Sequence, residues 1–318
     1  PGNYFRSYLG PLPVVVTRDM DGEVHVFENR CAHRGVEFCR EYRGSADSFI
    51  CPYHNWTYDL QGNLASVAFE RGIQGKGGMP DDFDHACHGL PRLRVETYCG
   101  LIFGTFSETV GSLSDYLGPE MRANMDRVLS RDMEILGMFR HGLDGNWKLY
   151  MENVRDTYHA TLLHSFFPTF GLVRLSMKGG IVLSDGGLHH MTYSMGATDQ
   201  AEAQYNAKDL RAVKDGYTLN APELIEGWPE YECGTTLAIQ SIFPNFSVQQ
   251  LSNVITVRLN VPKGPDKSEL IWWILAPVED TPEERAMRLR QSNLIGPGGF
   301  IAMEDGAVVG WVRRGVKG

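Results

Sequence analysis

The sequence lacks three features that mark common classes of protein. It contains no run of about 18 apolar residues, the length that a membrane-spanning helix needs. Basic residues are in the minority, with 30 lysines and arginines against 39 acidic residues, and the net charge is -9. Nucleic-acid binding calls for a basic face. We therefore expect neither a membrane nor a nucleic acid as a partner.

Cysteine is also sparse, with six in 318 residues. A chain of this size can bury a core without a disulfide framework, so the cysteines indicate a reducing cytoplasm. Apolar residues make up 42% of the chain and charged residues 22%, which is typical of a globular protein. The first residue is not methionine, and we expect that the natural chain is longer.

The pattern of apolar and turn-forming residues changes after about 100 residues. Short strand-like runs come first, with hairpin signals at Asp21-Gly22 and at residues 61–63. Longer helical patterns mixed with strands follow, including "NVITVRLNV", "ELIWWILAPV" and a helix whose N-cap is Thr281. We predict an α+β protein with an all-β domain at 1–104 and a second domain at 105–318.

Four potential metal ligands lie in the first domain, in the motifs "CAHRG" and "CPYHNW". They are Cys31, His33, Cys51 and His54, with seventeen residues between the two pairs. Two thiolates and two imidazoles suit a structural Zn²⁺ ion or a Rieske [2Fe–2S] cluster, in which two histidines hold one iron. The spacing is not that of a zinc finger and no recognition helix follows, so we favour the Rieske cluster. Such a cluster relays electrons and needs an acceptor.

A second set of candidate ligands lies in "DTYHATLLH", which begins at Asp156. The stretch reads as part of a helix from about Trp147, yet His159 and His164 are five residues apart, about 140° on an ideal helix. Either the helix bends or it ends between them, if both bind one metal. Taken alone, the pair fits buried structural histidines equally well. Asp305 in "AMEDG" offers the carboxylate of a two-histidine, one-carboxylate iron site with positions left open for O₂.

Together these motifs resemble the large (α) subunit of the Rieske non-haem iron aromatic-ring-hydroxylating oxygenases, over essentially the whole chain. "NWKLYMENV", "LHSFF", "NLIGPGGF", "MEDGAV" and "RRG" most resemble the terephthalate 1,2-dioxygenase branch, followed by the anthranilate dioxygenase and salicylate 5-hydroxylase branches. The resemblance implies a catalytic domain with an antiparallel sheet covered by helices. It also implies that α subunits are longer than this chain at both ends.

The resemblance assigns roles to single residues. His159, His164 and Asp305 would bind the mononuclear iron, with Glu304 as the rival carboxylate. Asp156 would not bind iron, but would bridge an iron-ligand histidine and a Rieske histidine of the neighbouring subunit. The family assembles as a trimer, with or without a small β subunit. Its electrons come from NAD(P)H through a separate flavin reductase, sometimes with a ferredoxin, and this chain has no strand–GxGxxG–helix unit of its own.

Three residues are candidates for contact with the substrate. Arg258 lies on the less apolar face of its strand, where the alternation alone suggests solvent exposure, but resemblance to aromatic-carboxylate branches favours the pocket. Resemblance also favours Arg314 over Arg313, and Asn153 lies beside the iron motif. Arginine binds a carboxylate in a bidentate way.

We therefore expect a dioxygenase that uses O₂ to convert an aromatic carboxylate to a cis-dihydrodiol. The alternatives are a ring monooxygenase of the salicylate 5-hydroxylase type, a Rieske electron carrier, and a zinc-stabilised binding protein.

Overall fold

The computed structural model describes residues 1–174, 177–196, 213, 214, 216–296 and 298–316. The chain forms two compact units, Pro1–Leu113 and Ser114–Gly318. Gly104, after which the sequence suggested a boundary, lies inside a strand. A Cβ at this glycine would stand 2.7 Å from the side chain of Leu93, so the residue serves close packing rather than a linker. The functional boundary between the domains stays a prediction.

The first unit is built of short antiparallel strands. Its strands are β1 (Asn3–Leu9), β2 (Leu12–Arg18), β3 (Val24–Glu28), β4 (Arg43–Ser45), β5 (Ser48–Ile50), β6 (Thr57–Asp59), β7 (Leu64–Ser66), β8 (Arg94–Tyr98) and β9 (Leu101–Thr105). They form a four-stranded sheet in the order β3-β2-β1-β4, a three-stranded sheet β5-β6-β7 and a β8-β9 hairpin. The predicted all-β character of this part is confirmed.

The two predicted hairpin turns are present and have the same construction. In the β2–β3 turn, the side chain of Asp19 accepts backbone N–H bonds from Asp21 and Glu23 at 3.1 and 2.9 Å. In the β6–β7 turn, Asp59 accepts the corresponding bonds from the second and fourth residues after it, at 2.9 and 2.8 Å. The turns are joined because Gln61 donates to Asp19 at 3.0 Å. Local side-chain bonds of this kind favour turns over continued strands.

The second unit is built on one large sheet. Its strands are β10 (Met133–Leu143), β11 (Gly179–Leu183), β12 (His190–Met195), β13 (Thr235–Ile242), β14 (Phe246–Leu251), β15 (Val254–Pro262) and β16 (Ser268–Pro277). Its helices are α1 (Leu113–Leu129, which begins at the last residue of the first unit), α2 (Trp147–Asn153), α3 (Ala160–Leu163), α4 (Phe166–Thr169), α5 (Pro282–Ile295) and α6 (Phe300–Gly315). The sheet is antiparallel, in the order β10-β16-β15-β14-β13-β12-β11.

Helices cover this sheet, as the predicted fold class requires. Helix α2 packs against α6 and β15, and α5 packs against β15, β16 and α6. The predicted N-terminus of α5 is confirmed, because Thr281 and Glu284 form the reciprocal bonds of a capping box. The central strands are buried on both sides, which sets them apart from half-exposed strands.

No helix in the described part of the chain is long and apolar enough to cross a membrane. All six cysteines are free thiols, with Cys31, Cys39 and Cys51 buried. The cytoplasmic location stays a prediction.

A buried arginine fixes α5 to the sheet. Arg288 is fully buried, and its Nε donates to Asp280 at 2.5 Å while one terminal nitrogen donates to Glu230 at 2.6 Å. It also bonds the carbonyl of Asn253 and lies over the ring of Trp228, with its Cζ 5.1 Å from the ring centroid. Among the described residues, Arg288 is therefore the one cation paired with the buried carboxylate of Asp280, and it shares the buried carboxylate of Glu230 with Arg131.

We predict that Arg288→Met lowers the free energy of unfolding of the second unit by about 3–5 kcal/mol, because it leaves the buried carboxylate of Asp280 uncompensated and Glu230 with Arg131 as its remaining cation. Urea-induced unfolding, monitored by tryptophan fluorescence, measures this loss of stability. Arg290→Met on the same helix is the matched control, since Arg290 is exposed and should change stability by no more than about 0.5 kcal/mol. Equal effects of the two substitutions would contradict the structural role of Arg288.

Candidate metal centres

The two loops that carry the predicted cluster ligands have matching backbone hydrogen bonds. In each loop, the N–H of the cysteine donates to the carbonyl of the fifth residue after it. The N–H of the fourth residue after the cysteine donates back to the cysteine carbonyl. These fourth residues, Gly35 and Asn55, have φ angles of 70° and 54°. Glycine and asparagine tolerate this left-handed region best. The loops after Cys31 and Cys51 are therefore two copies of one turn.

The four donors lie in two pairs. The thiols of Cys31 and Cys51 are buried and close enough to hydrogen-bond to each other. The rings of His33 and His54 are exposed, with centroids 4.6 Å apart. In the described residues, three ligand atoms lie within 4.8 Å of one another at one place, His159, His164 and Asp305, and not among these four donors. A single tetrahedral Zn²⁺ needs all four donors around one point, whereas a thiolate pair and an imidazole pair fit a two-iron cluster.

Two aromatic side chains hold this arrangement, and the sequence analysis did not single them out. The hydroxyl of Tyr58 lies 3.3 Å from Sγ of Cys31 and accepts the N–H of Ala32 at 3.0 Å. The ring of Trp56 stacks on His33, with centroids 4.9 Å apart and an angle of 8° between the planes. Both residues belong to "CPYHNWTY" and follow the second ligand pair closely in the sequence. This closeness was the signal that could have identified them.

The chain around the second motif is not one continuous helix. Helix α2 ends at Asn153, and the carboxylate of Asp156 then accepts the backbone N–H of Tyr158 at 2.7 Å. This local bond competes with helix continuation. The short helix α3 follows, with His159 directly before it and His164 directly after it. Because the two histidines do not lie on one continuous helix, their separation of about 140° on an ideal helix does not keep the two imidazoles apart.

The two histidines turn the same ring atom towards Asp305. The Nε2 atoms of His159 and His164 lie 3.5 and 3.2 Å from its Oδ1. One ligand atom from each of the three residues lies within 4.8 Å of the others. Each Nδ1 faces a different carboxylate, at 3.2 Å from Asp156 and 2.8 Å from Glu304. Metal-bound histidines commonly donate their other ring nitrogen to a carboxylate.

The electrostatics of this cluster suit a cation. Burial alone would raise the pKa of Asp305, but hydrogen bonds from the two histidines outweigh it and lower the pKa to about 2. Burial alone would lower the pKa of His164, but its bonds to Asp305 and Glu304 raise that pKa to about 9. The carboxylates thus draw positive charge into a buried place. A metal ion competes with protons for such ligands.

A cavity of about 120 Å³ reaches this cluster. For comparison, a cavity on the order of 150 Å³ accepts one benzene ring. The sheet contributes residues of five neighbouring strands to its wall, among them Thr192, Ser194, Leu237, Ile239, Gln249, Arg258 and Trp272. Asn153 also lines the cavity and donates to Oδ1 of Asp305 at 3.2 Å. The cavity is therefore close to the size of a single aromatic ring, and it lies beside the candidate metal site.

Comparisons with known proteins identify both parts of the chain. Residues 1–75 match the Rieske [2Fe-2S] domain, and residues 123–318 match the catalytic domain of the ring hydroxylating alpha subunit. The α2 subunit of the terminal oxygenase component of terephthalate 1,2-dioxygenase from Comamonas sp. is 50% identical, over 100% of this chain and 77% of that protein. The large subunit of anthranilate 1,2-dioxygenase from Burkholderia cepacia is 44% identical, over 99% of this chain and 74% of that protein.

The chain belongs to the Rieske ring-hydroxylating dioxygenase α subunits. The structure of naphthalene 1,2-dioxygenase from Rhodococcus sp. bound to indole has the same fold, with a TM-score of 0.80 over 100% of this chain and 74% of that one, at 24% identity. The predicted fold class, enzyme class and family are confirmed. As an α subunit of this family, the protein carries a Rieske [2Fe–2S] cluster and a mononuclear iron. A simple electron carrier or a zinc-stabilised binding protein does not account for the catalytic domain.

In this dioxygenase subunit, Arg258 is a buried cation without a carboxylate partner among the described residues. It is 3% exposed, and it donates to the hydroxyl of Tyr150 at 2.5 Å and to the amide oxygen of Gln249. Its guanidinium lies over the ring of Trp272, with Cζ 4.6 Å from the ring centroid. All of these partners are neutral. A cavity-lining arginine of this kind offers its charge to an anionic ligand.

The structure does not bring Arg314 to this cavity. Helix α6 is continuous through both of its internal glycines, so Arg314 lies nine residues, or about 180°, from Asp305 and is exposed. Arg313, the alternative by helix phase, pairs with Asp144 at 3.0 Å. Tyr150 and Gln249, which hold Arg258, were missed by the sequence analysis. The signal for Gln249 was a polar residue at every second position of a buried strand, whereas Tyr150 lies on α2 and had no such signal.

The geometry separates the two candidate carboxylates. Because Nε2 of both histidines faces Asp305, we predict that Asp305→Ala abolishes binding of the mononuclear iron and leaves the Rieske absorption unchanged. Glu304→Ala removes only a partner of Nδ1 of His164 and should weaken iron affinity by about 10- to 100-fold. Anaerobic Fe(II) titration with iron and labile-sulfide analysis measures both effects. Complete loss of this iron in Glu304→Ala, with retention in Asp305→Ala, would reverse the assignment.

Proposed function

We propose that this α subunit acts on a monocyclic aromatic carboxylate of the terephthalate type and produces a cis-dihydrodiol. The observation that carries the proposal is the buried Arg258, which lines a cavity close to the size of one ring and has only neutral partners among the described residues. A Comamonas relative named for terephthalate and a Burkholderia relative named for anthranilate are 50% and 44% identical. Both names refer to aromatic carboxylates.

We assign the cofactor ligands by geometry and residue chemistry. Cys31, Cys51, His33 and His54 would hold the cluster. His159, His164 and Asp305 would hold the mononuclear iron, which supplies the activation of O₂ when bound. Asp156 and Glu304 orient the two imidazoles through their Nδ1 atoms, and Asn153 orients Asp305. The apolar part of the cavity wall excludes water from the ring.

The charge of Arg258 sets the orientation of the substrate. A carboxylate at Arg258 would neutralise the buried guanidinium, while the buried anion Asp305, which lines the same cavity, would repel it. A ring with one carboxylate therefore enters with its charged group towards the arginine. We propose that an unsubstituted carbon edge of the ring is then left for the metal site.

Redox partners and assembly follow the family in outline. Members work with a separate reductase or ferredoxin, form oligomers and in some cases include a β subunit. For this protein we propose a flavin reductase as donor, with or without a ferredoxin, and a trimer of α subunits. The exposed side of Asp156, whose side chain is 46% accessible, would face the neighbouring subunit.

We predict that Arg258→Gln weakens the binding of terephthalate and benzoate by about 30-fold to a few thousand-fold, since a desolvated charge pair that loses one partner costs about 2–5 kcal/mol. Benzamide should bind within threefold of its affinity for the native enzyme. Titration calorimetry on the iron-loaded enzyme measures each dissociation constant. Arg314→Gln is the matched control, because an exposed arginine contributes less than a factor of about ten. A native enzyme that binds benzamide as tightly as benzoate would refute the carboxylate assignment.

We predict that Asp156→Asn leaves both metal centres loaded and slows re-oxidation of the pre-reduced cluster by substrate and O₂ by at least about 10- to 100-fold. The substitution is nearly isosteric but removes the charge beside Nδ1 of His159. Single-turnover kinetics monitored at the Rieske absorption band provide the measurement. Glu152→Gln is the control, because this nearby acid is 74% exposed. Re-oxidation at the native rate in Asp156→Asn would remove Asp156 from the pathway.

A further inference from the structure

Two consecutive tryptophans of β16 have different surroundings. Trp272 is 1% exposed and lines the cavity, whereas Trp273 is partly exposed and points to the other side of the sheet. The two positions have opposite orientations because successive side chains of a strand alternate. Trp272 is paired directly with Arg258 on β15. The cavity thus receives a tryptophan and an arginine from neighbouring positions.

The indole N–H of Trp272 is a buried donor with no acceptor among the described residues. Tryptophan N–H groups usually have a hydrogen-bond partner when they are buried. Nε of Arg258 is in the same condition, although the two terminal nitrogens of this guanidinium have partners. Two unpaired donors therefore belong to side chains that touch, with the guanidinium carbon 4.6 Å from the indole centroid.

The chemistry of these two donors selects their ligand. Each offers an N–H, and one of them carries a positive charge, so the complementary group has two acceptor atoms and a negative charge. A carboxylate has two oxygens with about four lone-pair positions and no donor. A primary amide matches less well, because its NH₂ group would face a donor. Neither the stacked ring nor the neutral partners of Arg258 provide such acceptors.

We propose that the indole N–H of Trp272 is a second hydrogen-bond donor to the substrate carboxylate, beside Arg258. This inference rests on the proposed function, since it concerns the same carboxylate. Trp272 is then a specificity-determining residue, which favours a carboxylate over an uncharged group of the same shape. Its ring also forms part of the apolar wall, and the two contributions are separable by experiment.

Trp272→Phe tests the hydrogen bond, because phenylalanine keeps an aromatic ring and lacks the N–H. Hydrogen bonds to charged groups correspond to about a 10- to 150-fold change in affinity. We expect Trp272→Phe to weaken benzoate and terephthalate by that factor and benzamide by less than threefold. The measurement is titration calorimetry on the iron-loaded enzyme. Trp273→Phe is the matched control and should leave all three affinities unchanged.

Replacement of the Trp272 indole by a benzothiophene, through a non-natural amino acid, separates shape from hydrogen bonding. The bicyclic ring keeps its size, and sulfur takes the place of N–H. We expect the same selective loss of carboxylate affinity as in Trp272→Phe. This variant also keeps the test valid if the smaller phenylalanine disturbs the packing.

The outcomes distinguish this inference from the proposed function. Equal weakening of benzoate and benzamide in both variants would overturn the hydrogen bond and leave Trp272 as a packing residue. Unchanged benzoate affinity in the benzothiophene variant would also overturn it, and a water molecule would then be the acceptor. In either case, selective loss of carboxylates in Arg258→Gln would leave the proposed function intact. No preference of the native enzyme for benzoate over benzamide would refute the proposed function itself.

Discussion

The catalytic unit depends on the interaction of the buried carboxylate of Asp305 with two histidines. Its negative charge is stable in this position because two imidazoles, from a distant part of the chain, direct their Nε2 atoms at it. This convergence requires the break in the helical stretch after α2, where Asp156 fixes a turn with its own carboxylate. The same aspartate then orients His159. One turn thus supplies both the backbone geometry and the hydrogen-bond partner of a metal-binding ring.

The cavity is lined by a buried anion, Asp305, and a buried cation, Arg258. Asp305 and its histidines attract a cation, whereas Arg258 has no anionic partner among the described residues. Tyr150 and Gln249 fix the guanidinium without neutralising it. An arginine without charge compensation is costly to bury. A ligand that supplies a negative charge best explains the position of Arg258 in the cavity wall. The cavity volume limits that ligand to about one ring.

Much of this organisation could be predicted from local sequence signals. The Cys-x-His and Cys-x-x-His pairs have short spacings, the two hairpins have aspartate and glycine in their turns, and α5 begins with a capping box. Each of these signals acts within a few residues. The spacing of His159 and His164 indicated a bend or a break in the helix but not its position. The bond that Asp156 accepts from the N–H of Tyr158 is as local as those in the hairpin turns, but the sequence alone left a continuing helix open at this aspartate.

Contacts between distant segments account for what sequence reasoning did not reach. Glu304 and Asp305 are adjacent, and only the direction of each imidazole separates the residue that faces Nε2 from the one that faces Nδ1. The position of Arg314 depended on whether α6 passes through its glycines without a change of phase, which it does.

The polar face of the sheet shows most clearly why strand patterns misled. Alternation along β15 places Thr256, Arg258 and Asn260 on one face, and a polar face ordinarily points to solvent. Here all three are buried, as is Gln249 opposite them on β14. The helices cover this face and leave a cavity over it, so its polar groups bind each other or remain available to a ligand. In this sheet, the polar stripe on β15 therefore marks a covered face with a binding cavity and not a solvent-exposed one.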